Sequence, residues 1–309
     1  MSLASLLGRL PPDLRIVLAD IGSAGGLQGR WQAVRPVVSG LLFEPRDADE
    51  TRREGADVTF PIGLGPAQGT ATLNITALAN MSSTLKPNAA LLKSYAKKFA
   101  HTQITQTIEM RVDTLDALVV GEGVAVDAIK VDTQGSELGI LEGAVACLDS
   151  SVIMAEVEVS FFQRYEGQAT LCDVAAFMEG HGFELIDLYR LKRYRRVNSA
   201  GIGNMSFGKG QRAGRLAYGD AFFMLREDLL RARIEAAEPA AAEAIALKAV
   251  LAMLVYGKPD MAAQLFDQLS FAVREPWRGN VATWLGKLGK RPTGTGVLHH
   301  VFDYLARHV

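Results

Sequence analysis

Cysteine is nearly missing from this chain: Cys147 and Cys172 are the only two in 309 residues. They form no CxxC pair and join no Cys/His cluster, which argues against a structural zinc site and a disulfide framework and suits a reducing compartment. Histidine is sparse as well. His101, His181, His299, His300 and His308 lie without HxxxH or HxH spacing, so no metal site is expected from them. No apolar run approaches the roughly 20 residues that a membrane helix needs, so no membrane span is expected. Residues 1–10 lack a basic leader and end at Pro11-Pro12. They read as a short helix rather than a signal peptide, and the expectation is a soluble, cytoplasmic protein. An excess of one charge is also lacking. A net charge of −1 gives no global attraction to nucleic acid or anionic membranes, and no nucleic-acid partner is expected.

What is present is apolar material in short runs. Nearly half the residues are hydrophobic, ample for a sizeable core. Runs at Ile16–Ile21, 37–43, 58–62, Ala128–Val131, 152–159, 183–188 and 221–225 read as strands. Several are continuous, as in strands buried on both faces. Helical patterns fall between them, notably 137–148 and Leu171–Gly180. This alternation predicts an α/β fold, a mostly parallel sheet with helices on both faces, whose ligands sit beyond the C-terminal strand ends. Residues 70–76 and 104–113 instead alternate polar and apolar and flank a helical stretch near 88–100. They read as an inserted β-hairpin with a helix.

From about residue 228 the composition turns to Ala, Glu and Leu. Pro239 can open a helix, with Leu247, Val250, Leu251, Leu254 and Val255 on one face. Gly257-Lys258-Pro259 ends it, a second helix runs over 261–269, and a last one, 297–309, follows a Gly/Pro/Thr linker. The expected division is 1–227, carrying the sheet, and 228–309, an α-helical C-terminal appendage. The appendage is a candidate surface for a protein partner or a homodimer.

The first strand and its turn read Ile16-Val17-Leu18-Ala19-Asp20-Ile21-Gly22-Ser23-Ala24-Gly25-Gly26. Small residues let the backbone approach a ligand closely, and free N–H groups after them favour an anionic group such as a carboxylate. The GxGxxG fingerprint of dinucleotide sites is missing. The acid Asp20 at the strand's end suits instead a ligand with an ammonium group, as the methionine part of S-adenosylmethionine has. The second strand ends in Glu44, placed to accept hydrogen bonds from both ribose hydroxyls of a nucleoside. Either acid alone could be a solvated strand end. Together they predict S-adenosylmethionine as cofactor, held by Asp20, Gly22, Ser23, Gly26 and Glu44.

At these residues the chain resembles the FkbM-type methyltransferases, over about residues 18–225. The matching segments are Asp20 to Gly26, Phe43-Glu44-Pro45, Ser82-Ser83-Thr84-Leu85, Val112-Asp113-Thr114-Leu115-Asp116, Glu158-Val159-Ser160-Phe161, Tyr165-Glu166-Gly167 and Gly219-Asp220-Ala221-Phe222-Phe223. The most specific is Lys130-Val131-Asp132-Thr133-Gln134-Gly135-Ser136-Glu137. The resemblance implies a Rossmann-like class-I sheet of seven strands, the last pair antiparallel. It also implies methyl transfer to hydroxyl oxygens of sugars, glycans or other small acceptors. Two positions depart from the class: Ala24 stands where many members have a third loop glycine, and Pro61-Ile62-Gly63-Leu64-Gly65 offers no acid for the adenine amino group.

Transfer to a hydroxyl needs alignment and a base. Asp132, ending the fourth parallel strand, is the leading catalytic candidate; it could instead cap the following helix or bind the cofactor's amino end. Glu156 and Glu158 share one strand face, and could bind acceptor hydroxyls, act as base, hold a divalent ion, or lie solvated. Glu158, in the family-like segment, is preferred. Phe161, Phe162 and Tyr165 could contact an acceptor or pack in the core. Arg190, Lys192, Arg193, Arg195 and Arg196 read as a loop, either solvated or capturing an anionic acceptor. The alternatives are a degenerate domain serving as a helical adaptor, and a nicotinamide-dependent oxidoreductase.

Overall fold

The structure, a computed structural model, describes residue 7 and residues 10–22, 26–27, 29–45, 50–96, 98–120, 123–199 and 213–270. Ser23 and the expected last helix, 297–309, lie outside the described residues. The strands are β1 (Ile16–Ile21), β2 (Val38–Phe43), β3 (Arg52–Glu54), β4 (Asp57–Phe60), β5 (Gly63–Leu64), β6 (Gly69–Thr76) and β7 (Ile104–Asp113). They continue with β8 (Ala128–Val131), β9 (Met154–Ser160), β10 (Phe183–Tyr194) and β11 (Arg215–Leu225).

The main sheet runs β10-β11-β9-β8-β1-β2-β4-β3. The central strands β1, β2, β4, β8 and β9 pair in parallel. β11 runs antiparallel to both its neighbours, β9 and β10. β8 and β9 are buried at every position, the pattern of strands covered by helices on both faces. Among the described residues the sheet has eight strands rather than seven, because a short hairpin adds β3 antiparallel to β4 at the edge. β10 and β11 are longer than their apolar runs. Their outer halves carry charged and aromatic residues on half-exposed positions, a polar alternation that hides a strand from a search for apolar runs. The basic cluster from Arg190 to Tyr194 therefore lies in a strand, not in a loop.

The insert forms its own three-stranded sheet, β5-β7-β6. The helical stretch between its long strands is two single turns, Ala89–Leu92 and Lys98–His101, the first capped by the Asn88 side chain accepting from Leu91 N at 3.1 Å. The expected helix over 137–148 is also two, Glu137–Glu142 and Val145–Ser150. Gly143 breaks it: the chain passes so close to Gly65 that a Cβ there would lie 2.1 Å from the Gly65 carbonyl oxygen. Asp116 starts the second half by accepting from Ala146 N at 2.7 Å and Cys147 N at 2.9 Å.

Helices Glu227–Ala236, Pro239–Val255 and Pro259–Gln268 follow the sheet. Leu230, Ile234, Leu247 and Val250 belong to one hydrophobic cluster with Ile16, Leu18, Ile129 and Val157 of the sheet. Pro239–Val255 is buried on more than the expected face, with Ala249, Ala252 and Met253 also covered, as befits a helix packed on several sides. Lys248 in it reaches Asp127 at 2.9 Å, and Asp127 also accepts from Val17 N at 2.8 Å. Among the described residues no helix is long and apolar enough to cross a membrane.

Candidate active site

A cavity of about 530 Å³ opens at the C-terminal ends of β1, β2, β8 and β9, walled on the opposite side by the insert. Its volume is in the range of small-molecule sites, and its position is the one that open α/β sheets use for ligands. At the β1–β2 end the turn after β1 sets the geometry. Gly22 has φ 79°, and a Cβ there would lie 2.2 Å from the Asp132 carbonyl oxygen. Only glycine fits. Gly22 N donates to Phe43 O, and Asp132 N donates to Ile21 O, both at 3.0 Å, so the turn is clamped between neighbouring strands.

Gly22, Gly26 and Glu44 line the cavity. Glu44 is 2% exposed beside an apolar wall of Phe43, Ile62, Leu64, Leu73 and Met110. Residues 62–64, where no acid was found for adenine, thus reach the cavity with apolar side chains and backbone. Asp20 stands one layer back. It is 1% exposed, is not among the lining residues, and pairs with Lys130 Nζ at 3.0 Å. Lys130 lines the cavity in its place. Burial pulls this lysine down, and the carboxylates of Asp20, Asp132 and Glu156 together hold it above the ordinary lysine value.

In the middle of the cavity Asp132 and Glu158 meet across Gln134. The Gln134 amide donates to Asp132 Oδ1 at 2.9 Å and to Glu158 Oε2 at 3.0 Å. Arg164, 1% exposed, donates to Glu158 Oε1 at 2.6 Å and to the Ser160 hydroxyl at 2.8 Å. Burial and the neighbouring Asp132 charge push Glu158 up to about 8, against the pull of Arg164. Gln134 itself has φ 61°, a conformation rare for a side-chain-bearing residue and concentrated at functional sites. Ser83 Oγ donates to its carbonyl at 2.8 Å. The buried Glu137 carboxylate accepts from Thr133 N at 3.1 Å and Gly135 N at 2.9 Å. Glu137, not Asp132, therefore ties down the turn into the helix. Asp132 is left half-buried on the cavity wall.

Glu156 and Glu158 are both buried, so this strand end is not solvated. Glu156 accepts from the Tyr256 hydroxyl at 2.5 Å and lies 3.5 Å from Arg30 and 3.6 Å from Arg190. Arg190 also pairs with Asp220, and both line the cavity with Lys192 and Tyr218. Lys98, from the insert, completes this side, its Nζ 4.5 Å from the Tyr194 ring centroid. Burial, then Arg164 and Lys192, pull Lys98 below the ordinary lysine value. Of the remaining basic residues, Arg193 donates to Gly214 O at 3.1 Å, and Arg196 covers the Tyr95 ring at 5.3 Å. Phe162 and Tyr165 are buried away from the cavity, Phe162 stacked on Tyr95 at 5.7 Å and Tyr165 donating to Met81 O at 2.8 Å.

Lys130, Gln134, Arg164, Lys98 and Tyr218 were given no role by sequence reasoning. Lys130 and Gln134 sit inside the Lys130–Glu137 segment, so the sequence carries a local signal for both. Arg164 follows three residues after Phe161 in a stretch read for its aromatics, and nothing local marks Lys98.

Residues 25–185, just over half of the chain, match the family model described as Methyltransferase FkbM domain. A solved structure of methyltransferase FkbM from Methylobacillus flagellatus KT is 12% identical, with a TM-score of 0.34 over 70% of this chain and 45% of its own. This chain therefore spans less than half the length of that protein. No curated protein matches.

Proposed function

The chain belongs to the FkbM methyltransferase family, and from that premise we propose that it moves a methyl group from S-adenosylmethionine to a hydroxyl oxygen of a sugar, glycan or other small acceptor. The donor set fits that cofactor: a glycine turn with no room for a side chain, a buried carboxylate beside an apolar wall, and a cation where a carboxylate would come. Glu44 would take the ribose hydroxyls. Gly22 and Gly26, with Ser23 between them in the sequence, would offer backbone to the methionine end. Asp20 would act through Lys130, by holding its ammonium group in place. The bound cofactor supplies a methyl group already activated by its sulfonium charge.

The chain's own task is then to orient the acceptor and take its proton. The observation that carries this assignment is the Asp132–Gln134–Glu158 bridge. Gln134 fixes Asp132 through Oδ1, and Oδ2 accepts no hydrogen bond among the described residues. Glu158 has both oxygens engaged. Asp132 is therefore the base, and Glu158 with Arg164 positions it. Asp132→Asn is expected to lower the rate of S-adenosylhomocysteine release with hydroxyl acceptors by about 100-fold or more, with cofactor affinity unchanged. Parent-like turnover of this variant would remove Asp132 as the base, and a product methylated on nitrogen or carbon would overturn the hydroxyl reading.

A further inference from the structure

Among the described residues eight charged side chains line the cavity, and six of them fall into place: Glu44 and Lys130 at the β1–β2 end, Asp132 and Glu158 in the middle, and the Arg190–Asp220 pair beyond them. Lys98 and Lys192 remain. Both are half-buried, both line the cavity, and among the described residues neither has a carboxylate at salt-bridge distance. They come from different parts of the fold and stand beside two tyrosines that pack on each other. Lys98 lies over Tyr194, which packs edge-on against Tyr218 at 6.1 Å, and Lys192 stands opposite Tyr218 in the β10–β11 pairing.

A partly desolvated ammonium group without a counter-ion is unfavourable, and two that repel each other are more so. The charges acting on Lys98 are those of Arg164 and Lys192, all positive. Arg164 has the Glu158 carboxyl group at 2.6 Å; the two lysines have no such partner among the described residues. Such a corner is complete only with an anion in it.

We propose that Lys98 and Lys192 form an anion subsite, and that the methyl acceptor carries a carboxylate or phosphate group besides the hydroxyl that is methylated. The proposal rests on the methyltransferase reading for the word acceptor. The placement agrees with a separate acceptor site. From Glu44 after β2 to Tyr218 on β11 the cavity crosses β1, β8 and β9, four strand spacings or roughly 19 Å. Asp132 and Glu158 stand between the two ends. An anchor at the β10–β11 end would hold the acceptor's acidic group away from the cofactor and leave its hydroxyl near Asp132.

The test titrates the full chain, loaded with S-adenosylhomocysteine, with glucuronate, glucose 6-phosphate and glucose in turn. One of the acidic sugars is expected to bind at least about tenfold more tightly than glucose, with an affinity that falls as salt rises. The one that binds distinguishes carboxylate from phosphate. Lys98→Gln and Lys192→Gln are each expected to weaken it by about tenfold, and the double variant to reduce it to the level of glucose. S-adenosylhomocysteine affinity should stay unchanged in all three. Equal binding of the three sugars, binding of none, or a double variant that binds like the parent would overturn the subsite. So would a fall in S-adenosylhomocysteine affinity in step with sugar affinity, which would assign the lysines to the cofactor's carboxylate. The same titrations without the nucleoside keep the anion readout standing even if the cofactor reading fails.

Discussion

At the scale of single residues the site is a set of charges that hold one another in unusual states. Glu158 is the clearest case. Its carboxyl is pushed from an ordinary 4.5 up to about 8 by burial and by Asp132. Between those values the unfolded chain has released this proton and the folded chain still holds it, so stability falls as pH rises through that window and levels off above about 8. Glu158→Gln removes that slope. The stability advantage of the parent over Glu158→Gln is therefore expected to shrink as pH rises from about 5 to about 8, as read from denaturant midpoints. An advantage that stays constant or grows over the same range would show that Glu158 is ionised throughout.

At the scale of elements, Tyr256 ties the tail to a buried acid of the sheet. Tyr256, just past helix Pro239–Val255, stacks on Phe222 at 4.0 Å with rings 2° from parallel, and its hydroxyl donates to Glu156. Arg30 covers the same ring at 4.6 Å. Tyr256→Phe keeps the stack and removes the donor from a buried carboxylate. It is expected to cost about 1–3 kcal/mol in unfolding free energy; a loss below a few tenths would mean that Arg30 and Arg190 satisfy Glu156 without the hydroxyl.

The same elements show what the sequence could disclose. β1, β8 and β9 were legible because burial on both faces leaves a mostly apolar run, broken by the charged residues Asp20, Lys130, Glu156 and Glu158. The outer half of β10 was not, because a strand that leaves the core with one face exposed reads as a charged loop. Glu44 and Asp132 stood out as acids ending apolar strands. Asp20 stood out in the same way, yet its partner is Lys130 on the adjacent strand, and pairing between strands is not written in local sequence. Arg164, six residues beyond Glu158, turns back onto it, and Lys98 arrives from the insert. Both are tertiary coincidences that no local spacing encodes.

For the molecule as a whole, these pieces form one cavity with a graded character: buried acid and apolar wall beside β2, Asp132 and Glu158 at the ends of β8 and β9, and two lysines toward β10. The insert walls it, and the tail helices brace the sheet beneath it through the shared core. What occupies the β1–β2 end decides between a methyl donor and a dinucleotide. The direct measurement is calorimetric titration of S-adenosylhomocysteine into the full chain and into Glu44→Ala, with NAD as the comparison ligand. One-site, saturable binding that weakens by about tenfold or more in the variant, with NAD inert, is the predicted result. Absence of binding at about millimolar ligand, at the weak limit of specific association, or parent-like affinity in Glu44→Ala, would contradict it.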